Sequence, residues 1–228
     1  MTQAPLASMY FSVRNRVLAT VTPLGDDQLV MSVPACPDWT VHGLLAHLVS
    51  MPMAIMDGEI PDEVLGGGDP NPWLRRLVDE HSRRPVDELA AWWAHDDERL
   101  APVLQGAGLL LADLFTHEGD ILGALGVPAD RNTPELDSQI DAAMAGLQKD
   151  IARAGLPAIA VDNGTERRQS APGDPGWVLR CDFWTAHRVF NSRRTRDELL
   201  ALPHEGDPAR YFAAMHAHLP LPEHSLGE

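Results

Sequence analysis

Apolar residues recur three and four positions apart through most of the first 150 residues, which is the spacing of one helix face. Thr40 precedes one such segment as a candidate N-cap, and Pro52 is expected to end or kink the same helix. Pro134 is suited to a first helical turn, with Thr133 before it. Six helices are predicted, over residues 7–22, 41–52, 72–82, 86–104, 109–125 and 133–154.

Two stretches between these helices are predicted as loops. Residues 33–39 contain Pro34 and Pro37, which exclude a helix there. Residues 57–72 are rich in glycine, proline and acidic side chains.

The pattern changes after Gly155, where short apolar runs are separated by turn signals such as Asn163-Gly164. Strands are predicted at 158–161, 167–171 and 177–183, and helices at 184–191 and 208–218. We therefore expect a mainly α protein with a small α+β module at the C-terminal end. The predicted domains are an up-down four-helix bundle over residues 1–154 and a short-stranded sheet with helices over residues 155–228.

The acidic composition and the small number of cysteines exclude several classes of binding partner and site. The 228 residues include 33 acidic and 18 basic side chains, for a net charge of −15. Nucleic acid and anionic membranes attract basic faces, so neither is an expected partner. The two cysteines, Cys36 and Cys181, give neither a disulfide framework nor a cysteine-based zinc module. A cytoplasmic protein, monomeric or homodimeric, that binds small molecules is the expectation.

The predicted helix 109–125 combines apolar residues with a polar stripe. Asp113, His117 and Asp120 are spaced four and three apart, so they lie on one helical face. An aspartate and a histidine four apart can both reach one divalent metal ion. His47, within an apolar helix, is the natural third ligand. The alternative is that the three polar residues form a solvent-facing stripe and that His47 is a core histidine bonded to a carbonyl.

Two motifs resemble those of a known family. The segment Val33-Pro34-Ala35-Cys36-Pro37-Asp38-Trp39-Thr40-Val41, followed by Leu44-Leu45-Ala46-His47-Leu48, is similar to the P-x-C-P-x-W-[ST]-V…L-x-x-H-L signature of the mycothiol-dependent maleylpyruvate isomerase-like family. That family belongs to the DinB-like superfamily of metal-binding four-helix bundles. The helix bearing Asp113, His117 and Asp120 resembles its second signature, and Ser192-Arg193 followed by Gly206-Asp207 resembles its C-terminal domain.

The resemblance implies a divalent metal, typically zinc, held by His47, Asp113 and His117, with mycothiol as a thiol co-substrate. Neither cysteine of the chain is predicted to be the reactive thiol. Asp120 would orient His117. Arg193 would bind a substrate carboxylate, the alternative being a surface charge beside Arg194 and Arg196. One departure is that the family's isomerase usually has glutamate where this chain has Asp113, which is one methylene shorter.

The reaction type stays open from the sequence. Thiol addition followed by release would give a cis-trans isomerase, whereas retention of the adduct would give an S-transferase. A hydrolase that uses metal-bound water at the same site is a second hypothesis. A third hypothesis is a ligand-binding or regulatory bundle without catalytic activity. The sequence does not identify the substrate.

Overall fold

The computed structural model describes residues 5–216 and 219–227. By packing, the chain divides into two compact units, Met1–Pro128 and Ala129–Glu228. The helices of the first unit are α1 (Leu6–Val21), α2 (Asp26–Leu29), α3 (Val41–Met56), α4 (Asp62–Leu65), α5 (Asn71–His81), α6 (Val86–His95), α7 (Asp97–Gly106) and α8 (Gly108–Leu125). Its strands are β1 (Ser32–Val33) and β2 (Cys36–Thr40).

The first unit is a four-helix bundle formed by α1, α3, the consecutive helices α6 and α7, and α8. Helix α1 packs against α7 and α8, and α3 packs against α6, α7 and α8. The apolar faces predicted from the spacing form the core, where Val13, Leu44, Leu45 and Leu89 are fully buried. Helix α5 covers the outer side of α3.

Helix α3 begins as predicted but extends further. The Thr40 side chain accepts a hydrogen bond from the backbone N–H of Gly43 at 3.0 Å, which satisfies one free donor of the first turn. Pro52 does not end the helix, which continues to Met56. Met53 and Ala54, just beyond the proline, are buried, so packing of the last turn offsets the proline cost of about 3 kcal/mol.

The predicted helix 86–104 is divided into α6 and α7 at Asp96. In a continuous helix the carbonyl of Trp93 would accept from the backbone N–H of residue 97. Here it accepts instead from Arg14 Nη1 at 3.1 Å. Arg14 also pairs with the Asp97 carboxylate, with Nη2 and Oδ2 3.0 Å apart. This ion pair joins α1 to the start of α7, and hydrophobic periodicity alone does not reveal it.

The predicted loop 33–39 contains the antiparallel hairpin of β1 and β2. Its register places Ser32 opposite Thr40 and Val33 opposite Cys36, with an irregularity between the two pairs. The loop prediction was therefore wrong for this segment. Pro34 and Pro37 exclude a helix, but they leave room for a short extended pair at a bundle edge. The other predicted loop, 57–72, contains the short helix α4.

The second unit is an α+β module. Its helices are α9 (Pro134–Arg153), α10 (Phe183–Phe190), α11 (Arg196–Ala201) and α12 (Phe212–Met215). Its strands are β3 (Ile159–Asp162), β4 (Arg167–Gln169), β5 (Trp177–Arg180) and β6 (His204–Gly206). The sheet has the order β4-β3-β5-β6, with β3 and β5 parallel and the outer pairs antiparallel. Helices α10 and α12 pack against α9.

Three details of the second unit differ from the sequence prediction. Helix α11 and strand β6 were not predicted. The predicted helix 208–218 is a 3₁₀ turn, Pro208–Arg210, followed by α12. Residues 217 and 218, the last two of that prediction, lie outside the described residues.

The fold class predicted from the sequence, a helical bundle with a small α+β C-terminal module, is confirmed. The division by packing falls at Pro128, before α9, because α9 packs with α10 and α12. The domain boundary at residue 154 stays a prediction.

Among the described residues no single helix is long and apolar enough to cross a membrane. One pair of helices, α7 and α8, meets the requirement when taken together, by length and composition alone, and is bent by 104° between them.

Candidate metal centre

Two helices of the bundle bring three donor side chains together. His47 lies on α3, and Asp113 and His117 lie one turn apart on α8. His47 Nε2 is 3.2 Å from Asp113 Oδ2, and His117 Nε2 is 3.5 Å from Asp113 Oδ1. The two imidazole rings are nearly perpendicular, with centroids 5.4 Å apart. One ligand atom from each of the three residues lies within 4.8 Å of the others.

The burial of these residues disagrees with the solvent-stripe interpretation. His47 and Asp120 are each 1% exposed. The side chains of Asp113 and His117 are 22% and 12% exposed. Leu114 and Ile121, on the same helix, are buried in the core. The polar stripe therefore faces the interior of the bundle.

These contacts shift the pKa values of Asp113 and His117 in opposite directions. Burial alone would raise the pKa of Asp113, but the charges of His47 and His117 and their hydrogen bonds lower this pKa far below its usual range. Burial likewise opposes protonation of His117, yet the Asp113 carboxylate and the contacts with Asp120 and Cys36 raise the pKa of His117 well above its usual range. A cation that binds here would replace the His117 proton, so its affinity should rise with pH.

The Nδ1 edge of the His117 ring is covered by two further residues. Asp120 Oδ2 is 2.8 Å from His117 Nδ1. The Cys36 sulfur lies 3.8 Å from both His117 Nδ1 and Asp120 Oδ2. Cys36, His117 and Asp120 are thus a second group whose ligand atoms lie close together.

Strand β2 contributes one more neighbour, Trp39. Its ring centroid is 4.8 Å from that of His47 and 6.5 Å from that of His117. Cys36 and Trp39 are the two residues at the centre to which sequence reasoning gave no role there. Hydrophobic periodicity could not indicate them, because the segment between two prolines has no regular period, and only the P-x-C-P-x-W motif marked it.

An ion pair fixes α8 next to the centre. Arg16 on α1 binds Glu118 with two parallel bonds, Nε to Oε1 at 2.7 Å and Nη2 to Oε2 at 2.9 Å. Glu118 directly follows His117 in the chain and is 8% exposed. Bidentate pairs of this kind fix geometry as well as supplying energy. The pair therefore restrains the helix that carries two of the three donors.

The comparisons with known proteins agree with the motifs. Residues 11–109 match the family model of the mycothiol maleylpyruvate isomerase N-terminal domain. Those residues are therefore similar to the N-terminal domain of this family. The matched segment contains Cys36, Trp39 and His47, and it ends before Asp113. The resemblance predicted from the sequence is confirmed.

The structural comparison extends over more of the chain than the family model does. The chain is similar to the crystal structure of a histidine-to-alanine variant of mycothiol-dependent maleylpyruvate isomerase, with a TM-score of 0.58 and 14% sequence identity. The similarity covers 90% of this chain and 96% of that one. At this identity the similarity shows the fold alone, the DinB-like one predicted from the sequence. No curated protein matches the chain.

Arg193, the other residue predicted to act in catalysis, lies in the second unit. It is 8% exposed, and its Nη1 donates to the backbone carbonyl of Asn191 at 2.7 Å. Its backbone N–H donates to the carbonyl of Arg188 at 2.8 Å. The role of Arg193 stays a prediction.

Proposed function

We propose that this protein is a metal-dependent enzyme that uses mycothiol as the nucleophile on an electrophilic small molecule. The observation that carries the proposal is the convergence of His47, Asp113 and His117 in a bundle whose residues 11–109 match the mycothiol maleylpyruvate isomerase N-terminal domain. The donor cluster and the family match support the proposal only together. Donor clusters also occur without metals, and a family match does not identify the ligands.

The chemistry of the donor set fits a zinc ion. Two imidazole nitrogens and one carboxylate oxygen are typical zinc ligands, and three protein ligands leave a coordination position open for a reactant. The partly exposed edge formed by Asp113 and His117 would be the route by which a small molecule reaches that position. When bound, the cation supplies positive charge that favours the thiolate form of a thiol.

The chain's own residues would orient the ligands and the substrate. Asp120, fully buried, lies 2.8 Å from His117 Nδ1, where it would accept a hydrogen bond and so direct Nε2 toward Asp113. Leu44 and Leu114, on the two helices that carry the donors, are apolar and buried in the core. Arg193 would hold a substrate carboxylate through its guanidinium group, whose planar shape suits two parallel hydrogen bonds.

Two outcomes of thiol addition define the reaction type. If the thiol adds to an electrophilic carbon of a double bond, rotation about the resulting single bond and loss of the thiol give a cis-trans isomerase. If the new carbon–sulfur bond is kept, or if a leaving group departs, the reaction is an S-transfer. Analysis of the products separates the two, because only S-transfer consumes the thiol.

The test is turnover with and without thiol. The zinc-loaded protein is assayed with mycothiol on maleylpyruvate, the compound in the name of the structural neighbour, and on a haloalkyl electrophile. We expect turnover that needs mycothiol and that falls to background in His117→Ala. Equal turnover without any thiol would support the hydrolase hypothesis instead. A zinc-loaded protein that neither binds mycothiol nor turns over either compound would contradict the proposal.

A further inference from the structure

Cys36 lies where a conventional zinc site has a second layer of hydrogen bonds. Its sulfur is 3.8 Å from Asp120 Oδ2 and 3.8 Å from His117 Nδ1, on the ring edge that faces away from Asp113. The side chain of Asp120 is fully buried. Cys36 is partly exposed and is held in strand β2 by its pairing with Val33.

The hydrogen-bond chemistry assigns the protons at this edge. In the tautomer with a proton on Nδ1, His117 donates to Asp120 Oδ2 across the 2.8 Å contact, because a carboxylate oxygen accepts. A nitrogen that carries a proton cannot accept one from a thiol. The Cys36 S–H therefore donates to Asp120 Oδ2, and the sulfur lies against the edge of the ring.

These contacts form a series that leads from the β1–β2 hairpin to His117. Cys36 restrains the Asp120 carboxylate, Asp120 holds the Nδ1–H of His117, and His117 is left with Nε2 directed toward Asp113. Outer partners of metal-bound histidines fix the tautomer and the orientation of the ring, and their removal typically lowers metal affinity about 10- to 100-fold.

We propose that Cys36 is a positioning residue of the metal centre: its thiol holds Asp120 and, through Asp120, fixes the orientation of His117, while its sulfur does not bind the metal. The proposal rests on the proposed function, in which His47, Asp113 and His117 hold the ion. In this proposal the cysteine of the P-x-C-P-x-W motif has a positioning role and is not the reacting thiol.

Two substitutions separate a hydrogen-bonding role from a packing role. Cys36→Ser keeps a donor for Asp120, whereas Cys36→Val fills the same space without one. Zinc affinity is measured by competition with a chromophoric chelator, after circular dichroism has shown that each metal-free variant is folded. We expect Cys36→Ser to stay within about threefold of the parent and Cys36→Val to lose about tenfold, at the lower end of the range for outer partners.

The reverse order, with valine binding like the parent and serine weakly, would show that Cys36 only fills space, and it would overturn the proposal. If one variant does not fold, the folded one is still decisive, since the two roles predict opposite results for it. Cys181→Val, on the second unit, is the matched control and should leave zinc affinity unchanged.

Cobalt substitution tests whether the sulfur is a ligand. A thiolate bound to Co²⁺ gives an intense sulfur-to-metal charge-transfer band in the near ultraviolet, which nitrogen and oxygen ligands do not give. We expect the cobalt-loaded parent protein to lack this band. A strong band that disappears in Cys36→Ser would make Cys36 a direct ligand and contradict the positioning role. If the parent protein binds neither zinc nor cobalt, the proposed function fails first, and the role of Cys36 fails with it.

Discussion

At the scale of single residues, one carboxylate supplies the negative charge within the three-donor group. Asp113 is within 3.5 Å of both histidines and is the acidic member of the three-donor group. Compared with the glutamate that the family resemblance predicts at this position, Asp113 has a side chain one methylene shorter and the same charge. The charge of the side chain should therefore matter more than its length.

Two variants of Asp113 test this expectation. Asp113→Asn removes the charge and should lower zinc affinity by at least about 100-fold, more than the loss of an outer partner. Asp113→Glu keeps the charge and should stay within about tenfold of the parent protein. Chelator competition measures both, with Glu98→Gln on the exposed surface of α7 as the matched loss of one charge. An asparagine variant that binds zinc as tightly as the parent would exclude Asp113 as a ligand.

Arg193 is predicted to recognise the substrate and not the metal. Lysine cannot form the paired hydrogen bonds of a guanidinium group with a carboxylate. Arg193→Lys should therefore raise KM for a carboxylate-bearing electrophile about tenfold or more, consistent with about 1.5–3 kcal/mol for a hydrogen bond to a charged group. Zinc affinity and KM for an electrophile without a carboxylate should not change.

Steady-state kinetics on the two electrophiles measure this difference. Arg196→Lys, an exposed neighbour, is the control. The prediction would be wrong if KM rose equally for both electrophiles, because that result would indicate a general effect on the fold.

At the scale of elements, one buried pair joins α1 to α6. Trp93 Nε1 donates to the Tyr10 hydroxyl at 3.0 Å, and the two rings meet edge to face with centroids 6.3 Å apart. Tyr10 is 1% exposed and Trp93 is fully buried. A buried donor that loses its acceptor costs about 1–3 kcal/mol.

Tyr10→Phe should therefore lower the free energy of unfolding by about 1–3 kcal/mol, measured by urea denaturation. Tyr211→Phe is the matched control. Tyr211 is also 1% exposed, but its hydroxyl has no hydrogen-bond partner among the described residues. Removal of that hydroxyl should be neutral or stabilising. Equal losses in the two variants would refute the role given to the Tyr10 hydroxyl.

The elements also show what could be predicted from the sequence. The spacing of Asp113, His117 and Asp120 placed them on one helical face, and Thr40 correctly marked the start of α3. These features are local, so a single segment contains them. The hairpin that carries Cys36 and Trp39 was missed because β1 has only two residues and the prolines hide any period. The break at Asp96 was missed because it depends on Arg14, 83 residues from Asp97.

At the scale of the whole molecule, the fold is shared at 14% identity with a mycothiol-dependent maleylpyruvate isomerase. A fold of this kind can carry different reactions, so the activity must be argued from the site. The net charge of −15 adds one constraint. An anionic substrate would approach an unfavourable overall field and would need local positive charge, which a bound cation would supply.

Metal stoichiometry tests the central claim most directly. The protein is purified without chelator, and its metal content is measured by mass spectrometry before and after dialysis against zinc. The proposed centre predicts one zinc per chain. It also predicts a thermal midpoint that rises with free zinc, since a ligand that binds the folded state stabilises it by about 2.7 kcal/mol at 100 times its Kd. Both effects should be lost in Asp113→Asn. A folded protein with His47, Asp113 and His117 intact that binds no divalent metal would contradict the account.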